Sequence, residues 1–187
     1  MRNRLAFVTE LTVRLESETY EYTYVTAIQL TDAEVAAIAE VEATSNILRL
    51  MTRLTSLRFA AIARVTDQRW IACAVHDEIQ FGVGPGDELD VEATICKEIR
   101  QHHAAVVISK VSEDPRFVNH PVPKQYGFES YVSLPIILAD GAFFGTLCAL
   151  DPLPARLDDP NLIQTLEIFA RLIGVTLDLQ TRVAAAA

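Results

Sequence analysis

Three cysteines, four histidines and one proline-rich loop hold most of the chemistry open to this sequence. Cys73, Cys96 and Cys148 stand far apart, with no CxxC spacing. An odd, sparse set of this kind reads as reduced thiols in a cytosolic protein, each a small apolar side chain rather than a ligand. A reactive thiol wants a cationic neighbour, and only Cys96, beside Lys97, has one nearby in sequence. His102 and His103 adjoin on a predicted helix, where consecutive side chains diverge by roughly 100 degrees, so they do not chelate together. His76 is isolated and lacks a second spaced donor. His120 stands in the loop and could contact a ligand or ligate haem. No metal site is expected.

That loop opens the stretch "SEDPRFVNHPVPKQYGFESYVSLPIILADGAFFGTLCALD", Ser112 to Asp151, which continues as two apolar runs joined by Asp140-Gly141. A catalytic loop, a ligand lid and a structural crossover are the candidates. Asp114 precedes a proline, which holds it extended, and its carboxylate can cap the following turn. Arg116 either pairs with an acidic neighbour, the favoured reading, or points its fork at an anionic ligand. Pro121 and Pro123 stiffen the loop, and Gly127 ends a helical turn. Ser130, Val132 and Leu134 alternate with Tyr131, Ser133 and Pro135, so one set faces helices and the other a cavity. Tyr131 and Ser133 are the pocket candidates, with polar tips able to orient a ligand. Pro135 implies a bulge or a sheet edge.

The elements that must position these residues follow from periodicity. Thr31 and Glu34 form a capping box ahead of a long helix, whose stripes include Val35, Ile38, Val41, Ile47, Leu50 and Leu54. Thr44-Ser45-Asn46 is its weakest point. Before it, "ESETYEYTYVTAIQL" alternates Tyr20, Tyr22 and Tyr24 like a half-buried strand, while residues 5–15 suit a helix or a strand equally. Apolar runs at Phe59–Val65, Trp70–Val75 and Ile79–Val83 predict two or three antiparallel strands, and "GVGPGDELD" reads as an irregular connection. Asp90 caps a helix carrying Val91, Ile95 and Ile99. "AVVIS" is a short strand, and strands Ser130–Leu138 and Ala142–Leu150 follow. The last helix, Asn161–Val183, carries two apolar stripes: Leu166, Phe169, Ile173, Leu177, and Ile168, Leu172, Val175, Leu179. A single core face needs one stripe. The second is expected either to be covered by the first helix or, the favoured reading, to meet another subunit.

The 187 residues are half apolar, enough for one domain with a real core. A net charge of −9 without basic clusters argues against nucleic acid and anionic membrane surfaces. Neither a signal peptide nor a membrane span is expected.

The order of elements, with "SEDPRF", "YGFESYVSLPI" and "DGAFFGTLCALDPLP", resembles the GAF domain of bacterial sensor histidine kinases and related signalling proteins. The likeness spans roughly residues 31–180 and is strongest in the second half. It implies an α+β fold: an antiparallel sheet of about six strands, terminal helices on one face and pocket loops on the other. It also implies that the segment after "DPRF" covers a small-molecule cavity. Some GAF domains hold a bilin through a lid cysteine, and "RFVNHPVPK" has none; the cysteine near the N-terminus that bacterial phytochromes use is absent as well. The Asn-Lys-Phe-Asp-Glu constellation of cyclic-nucleotide GAF domains is missing too. The chain is therefore expected to be a cytoplasmic ligand sensor, its domain at 31–183 after an extension at 1–30. It would be a homodimer through its terminal helices, signalling to a kinase-type partner. The candidate ligand residues are Phe81, His120, Tyr126, Phe128, Tyr131 and Ser133, with Arg116 anchoring the lid. A free methionine-(R)-sulfoxide reductase of the same fold, or a GAF module used only for dimerisation, are the alternatives. The first would need cavity cysteines, and its surrounding motifs are absent here.

Overall fold

The computed structural model describes residues 42–186. The Thr31 cap, the first part of the long helix, the Tyr20–Tyr24 alternation and the extension at 1–30 lie outside the described residues.

Helix α1 (Glu42–Thr55) leads into a hairpin of β1 (Phe59–Val65) and β2 (Arg69–Asp77). Strand β3 (Glu88–Asp90), helix α2 (Cys96–His102) and strand β4 (Val106–Ile108) follow. Helix α3 (Pro121–Tyr126), strands β5 (Ser130–Ile137) and β6 (Phe143–Asp151), and helix α4 (Pro160–Ala186) complete the chain. The six strands form one antiparallel sheet ordered β3-β2-β1-β6-β5-β4. This is the expected α+β architecture, with α1 and α4 together on one face.

Alternation divides the sheet into two cores. Ala60, Ile62, Val132, Leu134, Ile136 and Leu147 face α1 and α4, where Leu48, Met51, Leu166, Ala170 and Ile173 meet them. Phe59, Ala61, Ala63, Tyr131, Cys148 and Leu150 face the opposite way, toward α2, α3 and the loops. Cys73 is the extra residue of a bulge: Ile62 opposes Ala74 and Ala63 opposes Ala72. Pro135 stands two residues beyond Ser133, the last residue of β5 opposed by β4. A residue without an N–H thus occupies a stretch where the strand has lost one neighbour, with a bulge following at Ile136/Ile137.

Three expectations are corrected. Ile79–Val83 is not a strand. Asp77 takes the N–H groups of Ile79 and Phe81 on its carboxylate, at 2.9 and 2.7 Å, and Gln80 and Gly82 adopt positive φ. Donors spent on a side chain are not available to a ladder. The third strand instead lies at Glu88–Asp90, where Arg69 pairs with Glu88. The helix predicted from Asp90 is broken: a 3-10 turn at Val91–Ala93 is capped by Asp90, Thr94 is extended, and α2 begins at Cys96. Finally, α1 turns Leu48, Met51, Thr52 and Thr55 inward and leaves Leu50 and Leu54 exposed. The inward hydroxyls donate to the carbonyls of Arg49 and Met51, which removes the cost of burying them.

Asp151 ties the ends of the central strands together. Its buried carboxylate accepts from Arg58 Nε at 2.7 Å, from a second guanidinium nitrogen at 2.8 Å and from the Arg58 backbone at 3.0 Å, while Leu153 N–H donates at 2.8 Å. Burial alone would raise its pKa, but these bonds outweigh burial and hold it below 3.8. Two glycines permit close approach: a Cβ on Gly145 would overlap the Ala63 carbonyl, and one on Gly174 the Ile137 carbonyl.

Two predictions follow from this packing. Gly145→Ala should cost about 3 kcal/mol, because the obstacle is backbone and cannot rotate away; chemical denaturation reads it. Asp151→Asn should be less stable than the wild type at neutral pH. The lowered native pKa contributes stability that is present above the unfolded value and is lost as pH falls through the folded one. The gap in melting temperature should therefore close below pH 3.8.

Candidate functional site

The second core is not filled to its centre. A cavity of about 50 Å³ lies between the sheet and the α2–α3 layer. One water needs on the order of 10–15 Å³, so the space suits a few waters or a guest of a few heavy atoms. Its walls are aromatic: Phe59, Trp70, Phe81, Tyr126, Phe128 and Tyr131 all line it. Phe59 and Trp70 come from the hairpin, and Tyr131 from β5. Phe81 is placed by the Asp77 carboxylate that catches its N–H, and its ring lies 4.7 Å from Phe59 and 6.1 Å from Tyr126. Phe81 and Tyr126 are half-exposed and the other four buried, so the first two form the rim.

Helix α3 brings Tyr126 and Phe128 into position. His120 caps it, its Nδ1 accepting the Val122 N–H at 3.3 Å, and Pro121 supplies the first turn. Gly127 closes the helix at φ 69°, a left-handed conformation that glycine adopts without strain. Its neighbour Phe128 then stacks on Tyr131 at 5.4 Å.

Of the residues singled out in the sequence, Phe81, Tyr126, Phe128 and Tyr131 meet around the cavity. Arg116, His120 and Ser133 are not in its lining. Arg116 pairs with Asp114 at 2.7 Å and donates to the Val107 carbonyl at 3.3 Å, fastening the loop to β4. This bond lowers the Asp114 pKa. The second nitrogen of His120 faces Glu98 at 3.3 Å, joining α3 to α2. Ser133 is fully buried on the cavity side of β5, opposite Cys148. Its Oγ makes no well-formed hydrogen bond, although its nearness lowers the Tyr131 pKa against the larger effect of burial.

Sequence reasoning missed the floor. Cys96 and Cys148 both line the cavity, one from α2 and one from β6. Cys96 Sγ lies 3.3 Å from Thr146 Oγ1 and 3.5 Å from the Tyr131 hydroxyl. Its pKa is lowered, first by a hydrogen bond from Cys148 and then, against the opposing effect of burial, by Thr146, Tyr131 and Trp70. That same bond and burial push Cys148 well up, and burial foremost raises Tyr131. Lys97, the cation adjacent in sequence, turns outward to Glu92. Hydrogen-bond donors, not a charge, favour the Cys96 thiolate. Cys73 belongs to the other core, where burial raises its pKa to about 11. No group of three or more His, Cys, Asp or Glu that could hold a metal ion occurs among the described residues.

This architecture has relatives. The sequence model of the GAF domain matches residues 27–177. The chain belongs to the GAF domain family. Among solved structures, it is similar to the GAF domain of PixJ from Thermosynechococcus elongatus in its blue-light-absorbing form. Identity there is 14%, over 85% of this chain and 96% of that one, with a TM-score of 0.59. It is also similar to the GAF domain of Acinetobacter phosphoenolpyruvate-protein phosphotransferase, 12% identical over 83% and 94% with a TM-score of 0.59. A third is the GAF domain region of a putative membrane protein from Geobacter sulfurreducens PCA, 16% identical over 69% and 86% with a TM-score of 0.55. At these identities the likeness speaks of the fold. No curated protein matches the chain. No helix among the described residues of this GAF domain is long and apolar enough to cross a membrane.

Two serines of β5 provide a test of the site's polarity. Ser130 donates to the Leu153 carbonyl at 2.6 Å, so Ser130→Ala should cost about 1 kcal/mol. Ser133→Ala should leave stability unchanged or raise it, since an unpaired buried hydroxyl costs about 1–3 kcal/mol. Urea denaturation of the two variants reads the contrast.

Proposed function

We propose that this GAF domain is a cytoplasmic sensory module of signal transduction that binds a small, largely apolar molecule in the aromatic cavity. The observation that carries the reading is the cavity itself, walled by six aromatic rings and floored by polar tips. Phe81, Tyr126, Phe128 and Tyr131 would hold the guest, Ser133 would stand outside the lining opposite Cys148, and Arg116 and His120 would secure the loop and helix that close over it. In this reading residues 31–183 form the sensor and residues 1–30 an extension.

Occupancy would favour one position of α3 and the β2–β3 loop over another, and the shared sheet would pass that preference to α1 and α4. The output partner would be of the histidine-kinase type. The second stripe of α4 supports a homodimer as the carrier of the signal: Ile168, Leu172, Val175 and Leu179 are 43%, 51%, 54% and 58% exposed. Leu50 and Leu54 of the adjacent α1 are exposed as well.

One observation favours a second reading, a reductase of the free methionine-(R)-sulfoxide type: two thiols stand on the cavity floor. Alkylation separates the two. Blocking Cys96 or Cys148 would abolish turnover of a sulfoxide by a reductase, whereas a sensor has no turnover to lose.

The chain has a single tryptophan, Trp70, and it lines the cavity. Xenon, a small apolar probe, should therefore change Trp70 fluorescence saturably and raise the melting temperature. Val122→Phe, which fills the space, should remove both responses; no response from the wild type would favour a module used only for dimerisation. Leu172→Glu should leave the fold intact, because the side chain is exposed, and convert dimer to monomer in light scattering.

A further inference from the structure

The chain's buried thiols are not equivalent. Cys73 is sealed in the core beneath α1 and α4. Cys96 and Cys148 instead share the floor of the cavity, one from α2 and one from β6. Around Cys96 Sγ converge the Tyr131 hydroxyl at 3.5 Å and the Thr146 hydroxyl at 3.3 Å. They come from different strands, β5 and β6, so the cluster is assembled by the tertiary fold. The cavity is otherwise apolar, and Ser133, which lies outside its lining, stands opposite Cys148 in the β5–β6 register.

We propose that Cys96 and Cys148 form a hydroperoxide-reactive dithiol centre, in which Cys96 attacks and Cys148 resolves. The Cys96 thiolate attacks the terminal oxygen of a hydroperoxide. The S–O bond forms, the O–O bond breaks, and the alcohol (water, for hydrogen peroxide) leaves with the proton that the thiol gave up. The Cys148 sulfur then attacks the sulfenic sulfur. An S–S bond forms, the S–O bond breaks, and water leaves carrying the Cys148 proton. Two thiols are oxidised to one disulfide and one peroxide is reduced by the same two electrons; an added dithiol reverses the change. The cavity volume of about 50 Å³ selects for a small hydroperoxide. Tyr131 and Thr146 are positioning residues, since their hydroxyls hold the sulfur in its ionised form. The titratable groups facing Cys96 are Cys148 from β6 and Tyr131 from β5.

The inference rests on the cavity admitting a small guest, as proposed above, and the experiment separates the two. Folded full-length protein carrying Cys73→Ala is treated with equimolar hydrogen peroxide and followed by intact mass and peptide mapping. The expected result is loss of two hydrogens, a Cys96–Cys148 crosslink, and recovery with dithiothreitol. Cys148→Ser should accumulate a sulfenic acid on Cys96, trapped by dimedone, while Cys96→Ser should leave Cys148 reduced. The wild-type rate should reach its plateau at a pH below 9.0, the ordinary thiol value. Tyr131→Phe should slow it about tenfold near neutrality, the worth of one hydrogen bond to a charged group, without changing the rate at high pH.

Thiols that stay reduced, or that react only at the rate of the urea-unfolded chain, would overturn the proposal. If that occurred while xenon still altered Trp70 fluorescence, the dithiol centre alone would fall and the binding cavity would stand. Crosslinking without any xenon response would support the dithiol centre and count against the ligand reading.

Discussion

Alternation of side chains along β1, β5 and β6, broken only where Phe144 bulges out of register, is the constraint on which the rest of the structure depends. Each strand must serve two cores at once. Val132, Leu134 and Ile136 go to the helices, so Tyr131 and Ser133 have to go the other way. A slip of one residue would bring the polar set under α4 and the aliphatic set into the cavity. The register is secured at both ends of the sheet's centre. Asp151 clamps Arg58 where β1 starts and β6 stops, and Gly145 admits the Ala63 carbonyl where a side chain would not fit.

The two faces are built from different materials. Beneath α1 and α4 the filling is aliphatic and dense, with Leu48, Met51, Leu134, Leu147 and Leu166 fully enclosed. On the other side, rings arrive from three strands, a short helix and the connections between them, and rigid planes cannot interdigitate as aliphatic chains do. A cavity is the natural residue of that mismatch. The short helices α2 and α3 hold it in shape through contacts at their ends: the cap at His120, its approach to Glu98, and the Arg116 link to β4.

Most of the architecture was legible because its signals are local. The alternation in "SYVSLPI", the turn at Asp140-Gly141 and the stripes of the last helix each need only neighbouring residues to be recognised. The α4 stripe of Leu166, Ile173 and Leu177 is buried as its spacing implied, and the second stripe is the one left outside. Ile79–Val83 misled because apolar content alone resembles a strand, whereas Asp77 redirects the backbone donors. Leu50 and Leu54 misled because α1 buries threonines whose hydroxyls are satisfied by its own carbonyls. Four of the six cavity rings, Phe81, Tyr126, Phe128 and Tyr131, were singled out from the sequence, whereas Phe59 and Trp70, inside apolar runs, were not. The thiol floor was not, since Cys96 and Cys148 are brought together only by the placement of α2 over β6. Lys97, the one sequence clue, faces away.

Gly174 has a mechanical consequence. With no side chain there, the backbone of α4 rests against the Ile137 carbonyl. Ordinary helix–sheet seams contain rotatable side chains that soak up small displacements, as springs do. At this seam main chain bears on main chain, so a shift of β5 has no rotamer to dissipate into. The long helix would be levered about that fulcrum, and a fraction of an ångström at the strand would grow along its length.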